Sequence, residues 1–265
     1  VRGYEDGKHF ATREKFYPTL FVDSKRKTKY KTLDGLPVEP VEPGTVRDCR
    51  EFIKRYNEID NFNIYGNERY IYQYISEKYP EVEVKFDTEK IKLTTIDIEV
   101  ASENGFPDVE SCAEEVLLIT LQDYATKQIR TWGRGSFNNK QENVIYKGFD
   151  TEYQLLSDFI NWWMIEENTP EVITGWNSKL YDIPYLCRRI DRILGEKLKK
   201  RMSPWGLVTE EETYISGRKH LSYDIGGVSQ LDYLDLYKKF TYKAQESYRL
   251  DYIASVELGQ KKLDH

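Results

Sequence analysis

Two carboxylates stand one strand-period apart in Thr94-Thr95-Ile96-Asp97-Ile98-Glu99-Val100-Ala101, an otherwise apolar, β-type run. Side chains at i and i+2 of a strand point to the same face, so Asp97 and Glu99 share one. Ile96, Ile98 and Val100 mark a strand with a buried side, where two unpaired carboxylates repel each other and are costly to desolvate. A divalent cation removes that cost. Mg²⁺ and Mn²⁺ prefer hard oxygen ligands, and two ions held by shared carboxylates are a recurring device for hydrolysing phosphodiesters. A strand whose outer face is merely polar and solvated carries the same D-x-E pattern, and the pair alone leaves both readings open.

A second constellation lies downstream in Pro170-Glu171-Val172-Ile173-Thr174-Gly175-Trp176-Asn177-Ser178-Lys179-Leu180-Tyr181-Asp182-Ile183-Pro184-Tyr185. A short apolar strand, Val172 to Trp176, ends in a polar turn, after which a helix begins. Asp182 falls in the first turns of that helix, and Asn177 at the strand's C-terminal end, where α/β sheets collect their ligands. D-x-E followed by N-x-x-x-[FY]-D resembles the Exo I and Exo II motifs of the proofreading 3′→5′ exonuclease domain of family-B DNA polymerases. The blocks Asp97 to Pro107, Thr174 to Asn177, Tyr181 to Tyr185, Leu231 to Phe240 and Ser247 to Ile253 are most similar to the replicative polymerases of large tailed bacteriophages. They follow the family's order and spacing across about two thirds of the chain.

The resemblance implies a mechanism. Asp97 would bridge two divalent ions, Glu99 would complete one inner shell and orient the attacking water, and Asp182 would hold the second ion. Asn177 would fix Asp182 or the terminal nucleotide, and Tyr181 belongs to the same motif. Phe106 matches an aromatic that contacts unpaired terminal bases in the family, although a buried core phenylalanine is an equal alternative. The hairpin turn Ser216-Gly217-Arg218 matches an extended β-hairpin thought to hold primer and template apart, which makes Gly217 and Arg218 candidate DNA contacts. The implied ligands are Mg²⁺ or Mn²⁺, two ions in the complete enzyme, and single-stranded or primer-template DNA. The implied partners, through the full-length polymerase, are a sliding clamp and replisome proteins in the cytoplasm of an infected bacterial host.

The family's third motif, Exo III (Y-x-x-x-D), belongs after the segment Ser247 to Leu258, yet the chain stops at Leu263-Asp264-His265. Tyr146 to Asp150 fits that pattern but lies between Exo I and Exo II, out of order. Without an initial methionine, Exo III or polymerase palm motifs, the chain reads as a monomeric fragment of a longer polymerase, with impaired hydrolysis. Two other functions stay open: a catalytically silent fragment that binds single-stranded nucleic acid, and an independent RNase-H-like nuclease.

Composition narrows the field. The 265 residues are 39% hydrophobic and 32% charged, with no apolar run near the roughly 20 residues of a membrane span. Cys49, Cys112 and Cys187 are widely separated, which suggests neither a zinc site nor a disulfide framework. Three histidines leave little material for a His-rich metal site or a Ser-His-Asp triad. A net charge of −6 argues against a nonspecific nucleic-acid coat but not against a nuclease, which needs positive charge only along the strand's approach. Lys25-Arg26-Lys27 with Lys29 and Lys31, and Arg188, Arg189, Arg192, Lys197, Lys199, Lys200 and Arg201, are the basic clusters. A solvated face is the simpler account of each.

The expected fold class is mixed α/β, a ribonuclease-H-like exonuclease domain with a mixed sheet, preceded by a partial α+β N-terminal domain. The division falls near residue 90, giving domains 1–90 and 91–265, the second with a β-hairpin insertion near 207–226. Helices are expected at Val46 to Tyr56 and Glu68 to Lys78. Strands follow at Ile91 to Val100, Glu115 to Asp123 and Gln128 to Gly133, and Asn143 to Gly148 is a short strand or an extension. Thr151 can cap a helix through Glu166, with Tyr153, Leu156, Phe159 and Ile160 on one side. Later strands are expected at Val172 to Trp176 and Gln230 to Tyr237, with hairpin arms at Val208 to Ile215 and Lys219 to Ile225.

Overall fold

Backbone contacts divide the chain into two units, Val1–Phe86 and Asp87–His265. The structure, a computed structural model, describes all residues but 6–7, 81–86, 103–104, 106, 216 and 261–265, and only the backbone at 4, 5, 9, 88 and 215. In the first unit β1 (Arg2–Glu5) and β2 (Lys8–Ala11) form an antiparallel ribbon. Strands β3 (Leu20–Asp23), β4 (Tyr30–Lys31), β5 (Pro37–Val41) and β6 (Ile64–Tyr65) make an antiparallel sheet in the order β4-β5-β3-β6. Helix α1 (Val46–Tyr56) opens on a capping box, Thr45 and Asp48 each accepting the other's backbone N–H. With α2 (Tyr70–Lys78) it closes a small core around Leu20, Cys49 and Tyr70.

The second unit is built on β7 (Leu93–Val100), whose alternation buries Thr94, Ile96 and Ile98 and leaves Asp97 and Glu99 exposed on the opposite face. It pairs antiparallel with β8 (Val116–Asp123), which pairs antiparallel with β9 (Ile129–Arg134). A register shift between Glu99 and Val100 breaks the ladder beside the two carboxylates, as bulges near functional sites commonly do. The stretch that could be strand or extension is a true strand, β10 (Val144–Phe149), parallel to β9 at the sheet's edge.

Helix α3 (Glu152–Trp163) starts where Thr151 accepts the Gln154 N–H at 3.2 Å. It ends three residues before Glu166, because Met164 to Thr169 fold back in turns. Tyr153 lies outside the buried stripe, which is Leu155, Leu156, Phe159, Ile160 and Trp163. Strand β11 (Val172–Gly175) then joins β7 in parallel and leads to α4 (Asp182–Leu194) and the short α5 (Glu196–Lys199). The antiparallel hairpin β12 (Val208–Ile215) and β13 (Arg218–Ile225) follows.

The expected strand at Gln230 to Tyr237 is corrected. Strand β14 (Ser229–Asp232) stops after four residues, and α6 (Tyr233–Phe240) begins at once, ahead of α7 (Leu250–Leu258). Asp232 accepts the Leu234 N–H at 2.9 Å, and Lys238 and Lys239 stand in the helix's last turn, so cap and dipole override the β-prone aromatic composition. The sheet order β10-β9-β8-β7-β11-β14, with β8 antiparallel to its neighbours and the other strands parallel to β7, is the ribonuclease-H-like arrangement with one added edge strand. Ile96 and Ile98 pack in one core with the apolar faces of α3 and α4.

Candidate active site

The β11 pairing to β7 ends at Thr95, so beyond it the β7 backbone takes a side-chain acceptor next to the exposed carboxylates. Gly175 makes the approach possible, since a Cβ there would lie 2.7 Å from the Ile96 carbonyl and 2.8 Å from the Ser178 Cβ. The chain then turns through Asn177 at φ 62°, a left-handed conformation that asparagine tolerates. The Asn177 carbonyl accepts the Tyr181 N–H at 3.0 Å, and α4 starts at Asp182. Pro184 is tolerated in this first turn because N–H groups there have no intrahelical acceptor.

These turns bring Asp182 against β7. Its Oδ1 accepts the Ile98 N–H at 3.0 Å, placing the third carboxylate beside the residue between Asp97 and Glu99. Asp182 is 5% exposed, and burial, followed by the neighbouring Asp97 charge, pushes its carboxyl up to about 7. The helix N-terminus and the Ile98 N–H favour the ionised form, but a helix dipole contributes only about 0.3–1 kcal/mol and is outweighed by desolvation. Tyr181, at the N-cap position of α4 and half-buried, is pushed up to about 12, first by burial and then by the charges of Asp182 and Glu99. Its hydroxyl therefore stays protonated at neutral pH and can donate.

Hard oxygen donors crowded at unfavourable electrostatic cost suit a divalent cation. Among the described residues, however, no group of three or more acidic, histidine or cysteine side chains has its donors gathered as a metal shell. One Asp182 oxygen is engaged by Ile98, so the carboxylates are neighbours without being a finished coordination sphere. Asn177 acts here through its backbone, with no side-chain hydrogen bond to Asp182 among the described residues. Gly217, at φ 75°, and Arg218 are exposed in the turn of the β12–β13 strand pair, apart from the sheet in which β7 pairs with β11. Phe106 lies outside the described residues.

Two features were missed in the sequence. Asp232, 6% exposed, accepts backbone N–H groups from Asn177 (3.0 Å), Lys179 (3.0 Å) and Leu234 (2.9 Å). Its signal was an N-cap aspartate ahead of a segment ending in lysines. Arg189 belongs to no basic surface: it is buried against Glu152, donating through Nε at 2.8 Å and through a second nitrogen, and also reaches the Cys112 and Ala113 carbonyls. Arg192 donates to the Cys112 carbonyl at 2.6 Å, and Tyr185 to that of Glu114 at 2.8 Å. Helix α4 thus holds the chain leading into β8 while carrying Asp182 at its start. Arg188, Lys199 and Lys200 are paired with Glu210, Asp191 and Glu196, so most of the second basic cluster serves the fold.

Residues 51–253 match the family described as DNA polymerase family B, exonuclease domain. The DNA-directed DNA polymerase of Escherichia phage RB69 is 32% identical over 284 residues, which cover 96% of this chain and 31% of the phage protein. That of Enterobacteria phage T4 is 32% identical over 287 residues, covering 98% and 31%. The DNA polymerase catalytic subunit of Human herpesvirus 6A is 32% identical over 178 residues, covering 63% and 17%. The chain therefore spans about a third of the length of its phage relatives. No helix among the described residues is long and apolar enough to cross a membrane.

Proposed function

Because this chain belongs to the exonuclease domain of family-B DNA polymerases, we propose that its second unit hydrolyses the 3′-terminal phosphodiester of DNA, with Asp97, Glu99 and Asp182 as the catalytic carboxylates. The observation that carries this is the bond from the Ile98 N–H to Asp182, which joins the two sequence motifs at one end of the central strand. The three carboxylates would hold Mg²⁺ or Mn²⁺. When bound, such ions supply a water acidic enough to attack at neutral pH and neutralise charge on the phosphate.

The protein's own groups do the rest. Asp97 and Glu99 are exposed and accessible to a strand end, whereas Asp182 is fixed from behind by α4. Tyr181 keeps its proton and lies within electrostatic reach of Asp182 and Glu99. The Ile98 N–H bond fixes one Asp182 oxygen and leaves the other to a ligand. Within a longer polymerase, the domain would remove misincorporated nucleotides from primer-template DNA. Residues 1–90 would belong to the polymerase's N-terminal domain, β12 and β13 would keep primer and template apart at the Gly217-Arg218 turn, and clamp and replisome contacts in the host cytoplasm would lie with the whole protein.

The test is digestion of a 5′-labelled single strand by the chain in excess Mn²⁺. Stepwise shortening from the 3′ end with release of 5′-mononucleotides, lost in Asp97→Ala, is expected. Shortening that survives Asp97→Ala would refute the assignment.

A further inference from the structure

Helix α4 carries Asp182 at its first position but has no side-chain cap of its own. The turn before it, at Asn177 to Lys179, takes its acceptors from the neighbouring strand. Asp232 ends β14 directly beside Gly175 in the parallel register, and its carboxylate reaches across to the turn that launches α4. Oδ1 accepts the Asn177 N–H at 3.0 Å as well as the Leu234 N–H at 2.9 Å, and Oδ2 accepts the Lys179 N–H at 3.0 Å. One buried carboxylate thus closes α6 and the entrance to α4 together.

The chemistry of the site calls for an acid. Three backbone donors converge on one side chain, and an ionised carboxylate is the group that presents acceptors only. Asparagine could serve Asn177 and Leu234 through its oxygen but would set an N–H₂ against the Lys179 N–H. The acid also has a cost, since the Asp232 charge is among the influences that raise Asp182. Such an arrangement makes sense if holding the turn matters more than relieving Asp182.

We propose that Asp232 is a positioning residue for the hydrolytic site: by clamping Asn177 and Lys179 it sets the start of α4, and so the placement of the Asp182 carboxylate on the Ile98 amide. Its catalytic consequence rests on the nuclease reading above, whereas its structural consequence does not. The Ile98 N–H, whose acceptor is Asp182, reports that placement without any reaction.

Amide hydrogen exchange on the full chain and initial-rate hydrolysis of single-stranded DNA in Mn²⁺ test the two parts. Asp232→Ala should speed Ile98 exchange by about tenfold or more while other β7 and β8 amides change by less than about twofold. Asp232→Asn should give a smaller rise of the same pattern, and it decides the matter alone if the alanine variant does not fold. Asp232→Ala should lower kcat by about 10–100-fold with KM little changed, and should add nothing in an Asp182→Asn background. Unchanged Ile98 exchange, an increase spread evenly over the sheet, or an equal kcat loss in both backgrounds would overturn the proposal. If Asp182→Asn alone hydrolyses DNA at the parent rate, the nuclease reading falls, and Ile98 exchange still decides what Asp232 does.

Discussion

Replacing Asp182 with asparagine should stabilise the protein, and only above the pH at which this carboxyl ionises in the unfolded chain. Burial and the adjacent Asp97 carry its carboxyl from an ordinary 3.8 to about 7. At about 1.4 kcal/mol per pH unit, the native state bears a penalty with a ceiling on the order of 4 kcal/mol once the group is ionised. The sign follows from linkage: the folded form holds its proton more tightly than the unfolded form. The penalty is therefore absent below about pH 4, grows as pH rises, and is complete above about pH 7. The asparagine amide would keep an oxygen for the Ile98 N–H and carry no charge. Asp182→Asn should then gain about 2–4 kcal/mol at pH 8 without divalent ions, or about 5–10 °C in melting temperature, and little at pH 4. The assay is urea unfolding in a chelator, followed by tryptophan fluorescence, since Trp132, Trp162, Trp163, Trp176 and Trp205 all lie in the second unit. Equal pH profiles for variant and parent, or a less stable variant at pH 8, would show that Asp182 is not held under this electrostatic load.

Glu152→Ala would strand the buried Arg189 charge and the Val116 N–H, and should cost about 3–5 kcal/mol, whereas the paired Glu152→Leu/Arg189→Met variant should cost much less. Urea midpoints of the single and double variants compare the two directly. Gly175→Ala would drive a methyl into the Ile96 carbonyl and Ser178, and should cost about 1–3 kcal/mol while slowing hydrolysis, because β11 and the turn to α4 must move. Shortening the hairpin between Tyr214 and His220 should spare hydrolysis of single strands and slow removal of nucleotides from duplex ends; equal slowing on both substrates would remove the strand-separating role.

The parts legible in the sequence were those in which period, cap and chemistry agree. The alternation of Thr94 to Val100 marked both the central strand and its exposed acids, Thr151 stood ahead of a helical stripe, and the hairpin arms flanked a glycine turn. Where local signals conflict, reading failed. The stretch Leu231 to Tyr237 is rich in β-prone residues, yet its cap and basic end make it a helix after Asp232. The arginines of α4 looked alike in sequence, but position on the helix separates Arg189, which faces the core and Glu152, from Arg188, which pairs with the hairpin's Glu210. Within the first unit, β5 contains Pro37 and Pro40 and gave no strand signal, because its partners lie at Leu20–Asp23 and Tyr30–Lys31 rather than in its own composition. The Asp232 clamp joins residues more than fifty positions apart, and no local pattern reveals it.

The measurement that reaches the central claim most directly is an anomalous-scattering map from crystals of this chain grown with Mn²⁺ and a 5′-mononucleotide. The account predicts a peak coordinated by Asp97 and Asp182, with Glu99 in the same site and the nucleotide phosphate against it. Bound nucleotide with no ion at these three carboxylates, or Mn²⁺ held at another part of the molecule, would contradict it.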